Sequence, residues 1–197
     1  MTLDIMGGLN WVDIFLCLIL GRAVYIGLRS GFVIEFFKLL GTFFAVFIAL
    51  HYFSGVSSFL QGRIHLPASA ADFASLGFLW GIVVLAFKFI REGILLLLKV
   101  EAHSALNSAG GLISSVVRGL LICSLAVLFL RASGIEYFTK NIANSFGAER
   151  VAGIAPKVYE STCTGFVEKF FPTEKFNKSV SSLANVSEGR EKKKGKK

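Results

Sequence analysis

The chain has 197 residues, of which 54% are hydrophobic, 20 are Phe and only 17% are charged, with a mean hydropathy of +0.65. Soluble domains of this length balance apolar and charged residues more evenly, so the composition excludes an ordinary water-soluble domain and points to a membrane protein. The net charge of +8 is concentrated at the end, where the final 67 residues hold 13 of the 21 Lys and Arg.

Four apolar runs read as spans: Leu9 to Leu28, Phe32 to Tyr52, Phe73 to Leu98 and Leu112 to Leu130. Each is near the ~20 residues a helix needs to cross a hydrocarbon core of about 30 Å. The runs are continuous, whereas a spanning barrel alternates with period two. The expected fold is all-α: four transmembrane helices as two antiparallel hairpins, a C-terminal amphipathic helix and a disordered basic tail. The expected divisions are 1–131, 132–178 and 179–197.

MTLDIMGGLN, ahead of the first span, carries Asp4 and no Lys or Arg. It lacks the basic region of a secretory signal, so the first span reads as a retained helix. Arg29, Ser30 and Gly31 form the short turn into span two, which makes the first two helices antiparallel. Ser54 to Asp72 reads as an exposed loop because Pro67 and several small residues interrupt helical periodicity. Spans three and four are joined by KVEAHSALNSAGG, whose Gly110-Gly111 pair marks a tight turn or a close backbone approach. Gly27 and Gly31, and Gly77 and Gly81, have the spacing that lets helices approach closely. The second pair is the better packing candidate, because Gly31 stands in the turn.

Beyond Leu130, Val151, Ala155, Val158, Tyr159, Thr162, Phe166 and Phe170 recur at helical spacing. Lys157, Glu160, Glu168 and Lys169 point elsewhere, with Pro156 in a first turn and Pro172 as a stop. This amphipathic helix either lies among headgroups or docks on a partner or its own bundle. SEGREKKKGKK reads as a solvated tail, with contact to anionic lipid as the alternative and no specific nucleic acid expected.

Charges within spans are costly, roughly 2.5–3.5 kcal/mol each at a helix centre. Arg22, Arg29, Glu35, Lys38, Lys88, Arg91, Glu92 and Arg118 all fall toward the side of the first and third connections once the helices alternate in direction. The Glu35–Lys38 and Lys88–Glu92 spacings allow each pair to meet on one helix face. Two readings stand: long side chains reaching the interface, or a polar vestibule or partner face, favoured by the short stems of Glu35 and Glu92. With Lys99 counted, the positive-inside rule makes the first and third connections cytoplasmic, although the basic tail argues the other way.

His51, His65 and His103 are far apart and read as solvated or capping residues near helix ends. The spacings of Cys17, Cys123 and Cys163 fit neither a disulfide framework nor a zinc site, so these read as small buried apolar residues. HExxH, GxSxG and GxxxxGK[ST] patterns are absent from the sequence, which offers no reason to expect an enzyme, a metal or a cofactor.

NWVDIFL, RSGFVIEF, NSAGGLISSVVRGLL and the later NS … IAPKVYE occur in this order and resemble the bacterial colicin V production protein family, CvpA, over about residues 10–171. By that resemblance, Asp13 matches the acid that opens the first helix. Gly31 and Glu35 match the Arg-Gly-Phe stretch with its following acid, with Ser30 here separating Arg29 from Gly31. Gly111, Arg118 and Gly119 match the Gly-rich entry and Arg-Gly pair of the last helix, and Asn107 stands where many members carry Asp. The resemblance implies a multi-pass inner-membrane protein linked to toxin production or export, and modules of this kind also resemble membrane anchors of proteases. Charge placement and the resemblance together give an expected polar cluster of Arg29, Glu35, Lys88, Arg91, Glu92 and Arg118, with Asp13 as a helix-end acid at the opposite face. Gly31, Gly111 and Gly119 from the resemblance and Gly77 and Gly81 from their spacing are the expected packing positions. The expected partners are the lipid bilayer, from hydropathy, and a second copy or another membrane protein, with an oligomeric channel or small transporter through the charged half as the competing function.

Overall fold

The computed structural model describes residues 10–64, 66–97, 105–170, 176, 177, 179, 180 and 183. Expectations that fall on His65, Lys99, His103, Pro172 and tail residues 184–197 lie outside these. Among the described residues there is no strand. Four long helices, α1 (Trp11–Ser30), α2 (Phe32–Ile64), α3 (Ala68–Leu97) and α4 (Ala105–Ala132), are each apolar and long enough to cross a membrane. The chain is a multi-pass membrane protein.

α2 differs from its sequence reading. Its 33 residues extend about 50 Å at 1.5 Å per residue, well beyond the ~30 Å hydrocarbon core. Residues 54–64, expected as loop, are its polar last turns. Ser58 Oγ donates to the Ser54 carbonyl (2.9 Å) and Gln61 Nε2 to Ser57 Oγ (3.0 Å), so the polar side chains bond within the helix instead of breaking it. Pro67 immediately precedes α3, a position where its missing N–H costs little.

The helices alternate in direction as expected, but their lateral partners differ from simple hairpins. α1 packs on α4 and touches α2 only sparsely, while α2 packs on both α3 and α4. Small residues set this arrangement. A Cβ at Gly27 would collide with the Ser115 side chain, and one at Gly111 would lie 2.7 Å from the Gly27 carbonyl oxygen. Two turns further along α4, Gly119 meets Ala23 in the same way. The Gly110-Gly111 pair is therefore a close approach inside a helix and not a turn. Gly81, expected to pack beside Gly77, has no neighbour within 4 Å, whereas Gly77 lies against the Phe129 ring. A small-residue repeat on one helix does not reveal which neighbour faces it.

At the tip of α1, Gly31 takes φ 74°, a conformation in which a Cβ is strained. The orphan N–H of Phe32, first in α2, is capped by Asn107 Oδ1 from α4 at 2.5 Å.

Beyond α4 come α5 (Glu136–Ala143), α6 (Phe146–Ala152) and α7 (Ile154–Thr162), the last continuing through a π-helical turn, Cys163–Val167, to Phe170. The amphipathic helix expected from Val151 to Phe170 is thus broken near its start, at Gly153, and two short helices precede the break. Ala155, Tyr159 and Cys163 are buried while Phe166 and Phe170 are exposed, so the apolar stripe docks on the chain's own bundle only in its first half. The break between α6 and α7 is stitched to α4 by Ser124, whose hydroxyl donates to the Ala152 carbonyl (3.0 Å) and accepts from Ala155 N–H (2.8 Å). Ser124 sits about 12 Å inside the end of α4, where helix-end groups unmatched by protein would meet no water. His51 is also not the solvated residue expected: it is buried, with Nδ1 2.9 Å from Tyr159 Oη. Cys123 and Cys163 are buried as expected, but Cys17 faces outward.

Two outcomes follow from this packing. Gly111→Leu should lower thermal stability in detergent by an amount at or above the ~1–3 kcal/mol typical of overpacking, because the obstacle is backbone, while Gly81→Leu should change it little. Ser124→Ala leaves a buried carbonyl and a buried N–H unmatched, and should cost about 1–3 kcal/mol for each group, read in the same melt.

Candidate functional site

Glu35 stands in the first turn of α2, where the helix dipole favours an anion. Its side chain is fully buried. Lys38, one turn later on the same face, places Nζ 2.5 Å from Glu35 Oε1, and Nζ also lies 3.4 Å from Ser30 Oγ at the end of α1. Arg118 of α4 brings Nη2 to 2.8 Å from Glu35 Oε2. That second contact is ionic without hydrogen-bond alignment, and Arg118 Nε is buried with no hydrogen-bond partner. One carboxylate thus holds cations from two helices at membrane depth.

Around this knot all four long helices line a cleft of about 350 Å³. Its cations are Arg22 of α1, Lys38 of α2, Lys88 and Arg91 of α3, and Arg118 of α4. Thr42 also lines it, with its hydroxyl turned to the Lys38 carbonyl (2.9 Å). Lys88 and Arg91 lie 4.0 Å and 3.9 Å from Glu92 Oε1, in half-exposed contacts that contribute little. Arg22 is exposed and has no ion-pair partner among the described residues.

Of the six residues expected to cluster, Glu35 and Arg118 form the centre, Lys88 and Arg91 line the same cleft, and Glu92 sits at its rim. Arg29 does not join them. It lies two turns beyond Arg22 toward the end of α1, past the cleft, with its guanidinium 4.8 Å over the Tyr25 ring. Arg22 and Lys38, read from the sequence as charges on the same side but left out of the expected cluster, complete the lining, and Lys38 pairs with Glu35 as its spacing suggested. Their signal in the sequence was depth, since both stand two turns or nearly so inside their helices from the charged end.

Asp13 occupies the opposite end, as expected. Its Oδ1 accepts from Ser145 Oγ (2.7 Å) and Gly147 N–H (2.9 Å), and Oδ2 from Asn10 N–H (3.3 Å). Ser145 in turn caps α6 by accepting from Ala148 N–H. Asp13 is thus a clamp between the starts of α1 and α6. Among the described residues, no group of three or more His, Cys, Asp or Glu is placed to hold a metal ion.

A family model described as colicin V production protein matches residues 12–156. The chain belongs to this family. No curated protein and no solved structure matches it. The matched region takes in Asp13, Glu35, Arg118, Ser124 and Ala155, and so includes the ionic knot, the Asp13 clamp and the Ser124 stitch.

Replacing Glu35 tests the knot. Glu35→Gln leaves Arg118 buried without a counter-charge and should destabilise the protein by about 3–5 kcal/mol, while Glu35→Leu combined with Arg118→Leu should recover most of the loss. Thermal melts of the single and double variants in detergent decide this, and a double variant no better than the single one counts against the pairing.

Proposed function

We propose that this member of the colicin V production protein family is a non-enzymatic component of the bacterial inner membrane. It supports toxin production or export, and envelope function, by assembling with a second copy or with another membrane protein. Family membership supports the link to colicin V production, and the family is not known as one of enzymes.

The outer surface of α3 carries the assembly reading. Only 17% of its most apolar stretch is buried within the chain, against 50% for α4. Phe78, Ile82, Leu85 and Phe89 stand exposed along one face, at the i, i+4, i+7, i+11 spacing of a helix-pairing seam. Gly81, beside this seam, has open space where a neighbouring backbone fits. The charged end faces the cytoplasm in this reading, following the positive-inside rule.

An oligomeric half-pore is the second reading, favoured by the cations that four helices contribute to one cleft. One turn beyond Thr42, however, Ala45 and Val46 are fully buried in a packed layer. Any path across the membrane would therefore have to form between copies.

Single cysteines at Leu85 and Phe89 should give disulfide-linked dimers or a defined heterologous adduct in native membranes, with cysteines on the lipid-facing side of α1 at Leu18 as the control. Recovery of monomer alone from both α3 positions overturns the assembly reading.

A further inference from the structure

A second cavity lies next to the cationic cleft along the same helices. It is an apolar groove of about 380 Å³ lined by Phe15, Gly77, Trp80, Ile122, Ala126 and Phe129, on the side where α1 and α3 stand apart. The two stretches occupy successive turns of the same helices. On α3 the lining passes from Arg91, Lys88 and Val84 to Trp80 and Gly77, and on α4 from Arg118 to Ile122 and Ala126. Taken together along α3 and α4, the two cavities make a gap that is strongly basic at one end and apolar at the other. From Arg91 to Leu76 it runs about 22 Å at 1.5 Å per residue, which is half of a ~30 Å hydrocarbon core plus a headgroup layer.

We propose that this gap binds one anionic phospholipid side-on, with the phosphate among Arg22, Lys88, Arg91 and Arg118 and an acyl chain against Trp80, Ile122, Ala126 and Phe129. Charge complementarity selects the headgroup. Five cations line the cleft while two carboxylates, Glu35 and Glu92, contact them, leaving three positive charges uncompensated. Free positive charge at membrane depth is costly, and a lipid phosphate neutralises it without bringing a protein partner into the gap. The outward exposure of Arg22 and Lys88 and the partial exposure of Phe15 leave the entrance open to the bilayer. A free phosphate would satisfy the basic end alone, whereas a lipid fills both ends. On α3 the site uses Gly77, Trp80, Val84, Lys88 and Arg91, a different stripe from the Phe78, Ile82, Leu85 and Phe89 seam, so it is independent of assembly through that seam.

The test is native mass spectrometry on the full chain in mild detergent, with phosphatidylglycerol and phosphatidylethanolamine as probes and inorganic phosphate as competitor. Phosphatidylglycerol should bind at least about tenfold more tightly than phosphatidylethanolamine, and inorganic phosphate in large excess should not displace it. The Arg22→Ala/Lys88→Ala/Arg91→Ala variant spares the Glu35 pairs and should weaken binding by on the order of a hundredfold. Ala126→Trp fills the apolar end and should weaken it while all the cations remain. Should either variant fail to fold, the lipid comparison and the phosphate competition on the unaltered chain still decide. Equal binding of the two lipids, displacement by phosphate, or unchanged binding in either folded variant overturns the proposal.

Discussion

A carboxylate enclosed inside a bundle of membrane helices has no water to stabilise its charge, so its counter-charge must come from the protein. Glu35 obtains part of this locally from Lys38, but the second cation, Arg118, belongs to α4. The ionic contact therefore fixes α2 and α4 in one register, with Glu35 in the first turn of α2 set against the middle of α4. Once that register holds, the apolar faces below it align, and Val46, Leu50, Leu121, Leu125 and Leu128 close into a single core. The buried pair is better understood as a device for specifying this alignment than as a large source of stability, because desolvating both ions offsets much of their attraction.

α4 organises the other faces. Next to Arg118, Gly119 accepts Ala23, and one and two turns back Ser115 and Gly111 accept Gly27. Toward its far end Phe129 meets Phe73 and Gly77, while Ser124 holds the α6–α7 break. Each contact solves a different problem of a lipid-embedded helix: charge pairing, backbone approach, ring packing, and satisfaction of helix-end polar groups. Helices with no hydrophobic drive to associate in lipid need such specific contacts.

The sequence revealed the class of fold and the depth of the charges, but not their azimuth. Hydropathy is a sum over a window, so it located four spans and placed Arg22, Glu35, Lys38 and Arg118 toward one side. Which of them meet depends on helix rotation, and low helical amphipathicity in an all-apolar span gives no guide to that. Arg29 shares its face with Arg22 but stands two turns further along α1, so it was placed one step too deep in the cluster. Gly77 and Gly81 were preferred because Gly31 stands in the turn, whereas it is Gly27 that meets the backbone of α4. The loop expected at Ser54 failed differently: Ser58 and Gln61 satisfy themselves within the helix, so polar residues mark where α2 leaves the apolar layer and not where it stops. Ser124 and the Tyr159–His51 contact join residues far apart in sequence and carried no local signal. Asp13 was legible as an acid at the opposite end from its place in the first span and from the family resemblance, although its link to α6 was not.

The gap between α1 and α3 follows from the turn at Gly31. A single residue joins α1 to α2, its φ is positive, and Asn107 from α4 caps the first N–H of α2. Three helices are thereby tied at one point on the charged end. α1 is then drawn onto α4 by the glycine contacts, and α2 is drawn onto another face of α4 by the ionic knot, so α3, which packs chiefly on α2, is carried away from α1. The opening is therefore a consequence of the contacts that hold the bundle together. Its basic end is equally constrained, because the cation that neutralises Glu35 has to stand where the cleft begins. Asn107 serves the cap through its side-chain Oδ1, which accepts the Phe32 N–H, so an acceptor oxygen is provided without a negative charge. Leaving it neutral keeps this end of the bundle more positive, in keeping with the surplus of cations along the gap.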